Sequence, residues 1–423
     1  MKYCTRCLYP ANHPLGITFD DKGICSGCLV HDEKYEIDWI QKRKDFEEIL
    51  AQYRNRQNSH YDCIIPVSGV GDDFFVVDMI KNQFNMNPLL VTYNTHFNTK
   101  VGIRNLARLI TELDCDHMMS TVGPETIKRI TRATMKMIGD MYWHVLAGTR
   151  TFPVQVATKF NIPLVIWGVN GWLDQVGMFS HYDEVEMTKK VRKEHALRRI
   201  DAEALLGIDP DLSPKDLQPF TYPSDTQLEK SRVRGLYLGN YIFWDSQAQI
   251  EKMISNYNYE SISQKGTFNT YETVNCWNND TVNDYIKYLK YGYGKATDHA
   301  TRDIRLKRLT REEGIKLVQK YDNNEPDELN LFLQWLDITK DDFYSYIEPF
   351  RDENIWQKNS DGLWIVNDSI ANHITGLDIE NARLDNINPK EYIQTQLLED
   401  EGDDYILMGR TYIDEKNFKA IEG

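Results

Sequence analysis

Asp62-Cys63-Ile64-Ile65-Pro66-Val67-Ser68-Gly69-Val70-Gly71-Asp72-Asp73 joins a short apolar run to a glycine-rich turn. An apolar run of this length, bounded by polar residues, reads as a strand buried on both faces. Residues 74–83, which follow the turn, read as a helix. A glycine turn between a strand and a helix presents backbone N–H groups and a helix N-terminus to an anion. Ser68 adds a hydroxyl donor, and Asp72 is placed to hold a magnesium ion or polarise a ligand hydroxyl.

The same pattern repeats downstream. Pro88-Leu89-Leu90-Val91-Thr92-Tyr93 reads as a second strand, residues 117–122 as a third, and Pro163-Leu164-Val165-Ile166-Trp167-Gly168 as a fourth. Between them, residues 101–113 carry Val101, Leu106, Leu109, Ile110 and Leu113 at helical spacing, and another helix opens at Pro124. Residues 142–160 read as helical with a break near Pro153. Apolar strands alternating with helices predict an α/β fold, a parallel doubly wound sheet covered on both faces. Ligands bind such sheets at the carboxyl ends of the strands, which here are residues 68–73, 93–98 and 168–175. The expected organisation is a zinc-binding element with a lead-in helix over 1–57, and an α/β domain over 58–200. A mainly helical substrate or partner region follows over 201–354, with residues 285–321 helical and basic. An acidic extension over 355–423 contains a solvated loop at 399–404.

The chain of 423 residues is 41% hydrophobic and 12% aromatic, with a formal net charge of −15. That composition suits a globular protein. The charge speaks against a broad nucleic-acid surface, and leaves room for a local anion site. No apolar run approaches the roughly 18–20 residues that span a bilayer. The start, Met1 to Cys7, lacks the apolar stretch of a secretory signal. The expectation is a cytoplasmic protein without a membrane span.

Four of the seven cysteines fall within the first 28 residues, as two CxxC pairs, Cys4/Cys7 and Cys25/Cys28, with 17 residues between them. Each CxxC brings two thiolates to one ion, and two such knuckles complete a tetrahedron, so the set predicts a structural zinc site. His13 and His31 are expected to stand outside the ligand set.

Two further groups carry candidate chemistry. Lys295-Ala296-Thr297-Asp298-His299 with Arg302 and Arg305 places charge on one helical face and reads as a candidate anion site or a salt-bridged helix surface, with His299 as a general base or a buried hydrogen-bonder. Trp167-Gly168-Val169-Asn170-Gly171-Trp172 with Asp174, Gln175 and His181 begins at a strand's carboxyl end, where substrate contacts belong.

Ser-Gly-x-x-Asp after a first strand resembles the pyrophosphate loop of the ATP pyrophosphatase (PP-loop) superfamily, usually Ser-Gly-Gly-x-Asp-Ser. Val70 stands where a glycine is usual, and Asp73 where the final serine is. The resemblance extends through the zinc knuckles, Cys63 to Gly69, Asn87 to Val91, Phe152-Pro153-Val154-Gln155, Ile162 to Gly168 and Tyr291 to His299, over residues 1–350. In that order they resemble the N-acetyl sugar amidotransferases of surface-polysaccharide and pseudaminic-acid-type biosynthesis. The resemblance implies conversion of an acetamido group to an acetamidino group, using ATP, Mg2+ and ammonia from a separate glutaminase. It assigns Ser68, Gly69, Val70, Gly71, Asp72, Asp73, Lys295 and Arg302 to ATP and pyrophosphate. Asp72, Ser68 and His299 are the catalytic candidates, with a nucleotide sugar or nonulosonic acid as substrate. Many relatives carry another CxxC before Ala147-Gly148; Tyr142 and Val145 stand there in this chain. Two other readings fit the same residues: a tRNA-modifying enzyme of this superfamily, which the net charge disfavours, and a catalytically inactive binding or scaffold subunit, which Val70 and Asp73 favour.

Overall fold

The computed structural model describes residues 1–54, 60–278 and 281–374. Five strands, β1 (Cys63–Pro66), β2 (Pro88–Tyr93), β3 (His117–Ser120), β4 (Leu164–Trp167) and β5 (Arg234–Tyr237), form one sheet in the order β3-β2-β1-β4-β5. All four pairings are parallel; Cys63 lies opposite Pro88 and Ile64 opposite Val165. The α/β class expected from the alternating pattern is therefore the observed one.

Strand pleating divides the apolar runs between two faces. Cys63, Ile65 and Leu90 turn to a core shared with Phe74, Val77, Leu106 and Ile250. Ile64, Leu89, Val91 and Val165 turn to the other face, onto Val156 and Ala157. The helices Gly71–Asp78, Lys100–Glu112 and Ser246–Tyr257 cover the first face, and Trp143–Phe160 the second. That last helix runs unbroken through Pro153, contrary to the expected break, because its buried residues dock on the sheet and packing overrides local propensity.

Residues 201–354 are mainly helical but also supply β5, so the sheet extends past residue 200. The strand is short and contains Gly235, so it lacks the apolar run that marks its neighbours. A Cβ at Gly235 would come 2.6 Å from the Met187 carbonyl oxygen and 2.8 Å from the Trp167 ring. The lead-in segment is two helices, Ser26–Glu33 and Trp39–Ala51, the second capped by Asp38. The basic stretch is three: Val282–Tyr291, Lys295–Arg305 and Arg311–Tyr321. Beyond residue 355 a hairpin pairs Trp356–Lys358 with Trp364–Val366. The expected loop at 399–404 lies outside the described residues. Among the described residues no helix is long and apolar enough to cross a membrane.

Candidate functional site

β1 stops at Pro66, and the helix Gly71–Asp78 starts after a four-residue turn. Gly69 takes φ +89°, and a Cβ there would come 2.9 Å from the Gly102 carbonyl oxygen, so glycine is required twice over. Val70, at φ −87° and ψ 162°, is extended and unstrained. Valine in place of a second glycine therefore fits without distorting the turn.

Asp73 is the unexpected member. Its Oδ2 accepts the backbone N–H groups of Ser68 (2.6 Å), Gly69 (2.9 Å) and Val70 (3.2 Å), and the Ser68 hydroxyl (3.2 Å). Its carboxylate fills the donor set of the turn. Loss of solvent pushes its carboxyl up to about 6, against the pull of these four bonds. The donor set suits an anionic oxygen, since one occupies it.

Asp72 points the other way. One oxygen accepts the Ser246 hydroxyl at 3.2 Å; Oδ1 is shielded from solvent and has no hydrogen-bond partner. Desolvation and nearby Glu272 push the carboxyl up to about 8, although Arg302 opposes them. Glu272 and Arg302, which act on Asp72 electrostatically, line a nearby cavity.

Seven sequence-derived candidates line that cavity: Asp174, Gln175, Lys295, Asp298, His299, Arg302 and Arg305. Tyr9 and Glu272 complete it. Residues 295, 298, 299, 302 and 305 share one face of the helix Lys295–Arg305, as their spacing predicts. Arg302 forks onto Glu272, with Nη1 3.0 Å from Oε2 and Nη2 on Oε1. His299 Nδ1 lies 2.7 Å from the Thr267 hydroxyl, and Nε2 lies 3.5 Å from Glu272 Oε2. Desolvation raises Glu272, but Arg302 and His299 outweigh it and hold the carboxylate below its usual range. Asp298 accepts from Tyr9 Oη (3.1 Å) and Lys287 Nζ (2.6 Å). Asp174 is already paired with buried Lys34 at 2.7 Å.

The N-terminus of the helix Lys295–Arg305 is filled by the chain itself. Asp284 accepts the Lys295 N–H at 2.6 Å, and Asp322 accepts the Ala296 N–H at 3.0 Å. The Lys295 side chain, rather than the helix end, is what faces the cavity. Of the other residues expected to contact substrate, Asn170, Trp172 and His181 do not line this cavity. Asn170 caps a short helix through the Trp172 N–H (3.1 Å), Trp172 packs on His195, and His181 packs edge-on to Trp39. Sequence gave no signal for Glu272 or Tyr9, which come from segments without local periodicity.

The four cysteines converge at the wall of this cavity. All are buried, and their sulfurs lie within 4.8 Å of one another. Cys4 Sγ accepts the N–H groups of Arg6 (3.4 Å), Cys7 (3.4 Å) and Cys25 (3.3 Å), as a thiolate in a metal knuckle does. Arg305 donates to Cys28 Sγ (3.4 Å), Cys25 Sγ (3.5 Å) and the Asp174 carbonyl (2.9 Å). A Cβ at Gly27 would collide with Arg305 and the Gln175 carbonyl, so the knuckle packs directly on the site. The donor set fits one tetrahedral zinc ion. His13 and His31 stay outside it; His13 Nδ1 accepts the Leu15 N–H at 3.2 Å.

Residues 265–370 match the family described as LPS biosynthesis protein WbpG-like, C-terminal domain. That span carries Glu272, Lys295, His299, Arg302 and Arg305. The chain is 28% identical over 116 residues to "Uncharacterized protein MJ1599" of Methanocaldococcus jannaschii, a match covering 27% of this chain and 41% of that protein. Among solved structures, the NH3-dependent NAD synthetase of Campylobacter jejuni aligns at TM-score 0.26 and 15% identity, over 46% of this chain and 95% of that one. The NMN synthetase of Francisella tularensis aligns at TM-score 0.27 and 12% identity, over 52% and 96%.

Proposed function

We propose, for a chain that carries a WbpG-like lipopolysaccharide-biosynthesis domain over residues 265–370, an ATP-dependent amidotransferase of surface-glycan assembly. The substrate is an N-acetylated nucleotide sugar or a nonulosonic acid of the pseudaminic type, including those placed on flagellin. An amide oxygen leaves poorly. ATP with Mg2+ supplies an adenylyl group to that oxygen and releases pyrophosphate; ammonia from a separate glutaminase then displaces AMP and leaves an acetamidino group.

One observation supports this reading most. Asp72, at the start of the helix after β1, lies within electrostatic reach of Glu272 and Arg302, which line the cavity with His299. Ser68, Gly69 and Val70 would donate to a polyphosphate oxygen. Lys295 and Arg302 offset the charge that develops on the leaving group. Thr267 holds His299 through Nδ1, and Glu272 lies beside its Nε2, so the ring is positioned to take a proton released as ammonia attacks. The zinc knuckle fixes the cavity wall through Arg305.

Asp73 supports a second reading, a subunit that binds sugar without consuming ATP. The test is mass spectrometry of candidate sugars incubated with the protein, ATP, Mg2+ and ammonium. Replacement of one acetamido oxygen by NH supports the amidotransferase; bound but unaltered sugar supports the second reading.

A further inference from the structure

We propose that Asp73 sets the polyphosphate affinity of the loop by acting as its built-in anionic occupant. A single carboxylate oxygen collects three backbone N–H groups and one hydroxyl, between 2.6 and 3.2 Å. Such charge-assisted bonds are the strong ones. A phosphate oxygen seeking this turn finds all four donors engaged. The occupant also cannot diffuse away. Asp73 is the third residue of the helix Gly71–Asp78, tethered beside the turn it fills, so it competes at the high effective concentration of an intramolecular group.

The surroundings act in the same direction. Asp72 presents an oxygen with no hydrogen-bond partner, and Glu272 lies within electrostatic reach. Arg302, a cation within electrostatic reach of Asp72, is already forked onto Glu272. A free polyphosphate would therefore meet a filled donor set close to the Glu272 carboxylate. Serine at position 73 would leave the three N–H groups and the Ser68 hydroxyl open. The affinity of the turn is a property of this side chain rather than of the backbone, which keeps the required shape at Gly69 and Val70.

The ligand class rests on the preceding reading, and the opposite role for Asp73 makes an opposite prediction. If its carboxylate served a polyphosphate by holding a shared Mg2+, removing it would weaken binding. The experiment is calorimetric titration of the full chain, and of Asp73→Ser and Asp73→Asn, with inorganic pyrophosphate, each with and without Mg2+. Asp73→Asn keeps a side-chain acceptor for the turn and guards against loss of fold in the serine variant; thermal melts report on both. Asp73→Ser is expected to bind at least about tenfold more tightly than the natural chain in both conditions, and Asp73→Asn to fall between them. Three outcomes overturn the proposal: equal affinity in all three proteins, Mg2+-dependent binding that is lost in the variants, or no binding in any of them. A chain that alters no sugar but gains pyrophosphate affinity on substitution keeps this proposal and loses the amidotransferase reading. Sugar amidation with equal pyrophosphate affinities does the reverse.

Discussion

Replacing Arg305 by Met removes one cation from two places at once. The guanidinium is buried, donates to Cys28 Sγ at 3.4 Å and Cys25 Sγ at 3.5 Å, and steadies the cavity through the Asp174 carbonyl at 2.9 Å. Four thiolates around a divalent ion leave a net charge of about −2, and Arg305 offsets part of it at hydrogen-bond range. Methionine keeps much of the bulk but none of the donors. Partners that hydrogen-bond metal ligands are worth about 10–100-fold in affinity, or about 1.4–2.7 kcal/mol. Zinc affinity, measured by competition with a chromogenic chelator, should fall within about that range in Arg305→Met. Arg311→Met is the control, because Arg311 donates to the carbonyls of Cys7 (3.3 Å) and Cys4 (3.4 Å) and to neither sulfur. Its effect should be smaller. Unchanged zinc affinity in a folded Arg305→Met protein would refute the coupling of knuckle and cavity.

Three other perturbations follow from the geometry. Lys34→Met strands Asp174, whose partner Nζ lies 2.7 Å away on a side chain only 3% exposed. Denaturant unfolding should show a loss of about 3–5 kcal/mol, and a loss below about 1 kcal/mol would class the pair with exposed bridges. Asp72 has its carboxyl raised from 3.8 to about 8, so between those values the native state holds a proton that the unfolded chain has released. Stability contributed by this group therefore falls as pH rises through that window. Asp72→Asn should flatten the decline in melting temperature between pH 5 and 8; a decline as steep as in the natural chain would contradict the assignment. Gly71→Ala brings a Cβ to 2.5 Å from Ile250 Cγ1. It should cost about 1–3 kcal/mol by overpacking, and Ile250→Ala in the same chain should recover part of the loss in a thermal melt.

Much of the fold was legible because β1, β2 and β4 are apolar runs buried on both faces, which leaves a signal no exposed residue dilutes. The cysteine pairs were legible because a tetrahedral ion imposes spacing, and the 295–305 helix because one face repeats at three and four residues. β5 escaped because a short edge strand with Arg234 and Gly235 looks like loop until Met187 and Trp167 pack against it. Of the group after β4, Asp174 and Gln175 line the cavity, whereas Asn170 caps the short helix Gly171–Asp174 and Trp172 packs on His195. Asp73 is the subtlest case. An acid at the third position of a helix can receive its own turn's N–H groups or leave them to a ligand, and the local sequence is the same either way. Glu272 and Tyr9 reach the site only through long-range packing.

The most direct test of the account is release of AMP and pyrophosphate by the purified chain with ATP, Mg2+ and ammonium, adding candidate N-acetylated nucleotide sugars and nonulosonic acids in turn. Asp73→Ser is run beside the natural chain, and Asp72→Ala serves as the control. The account predicts equimolar AMP and pyrophosphate that appear only with an N-acetylated sugar and disappear in Asp72→Ala. No sugar-dependent AMP from either the natural chain or Asp73→Ser, with a glutaminase supplied, would contradict it.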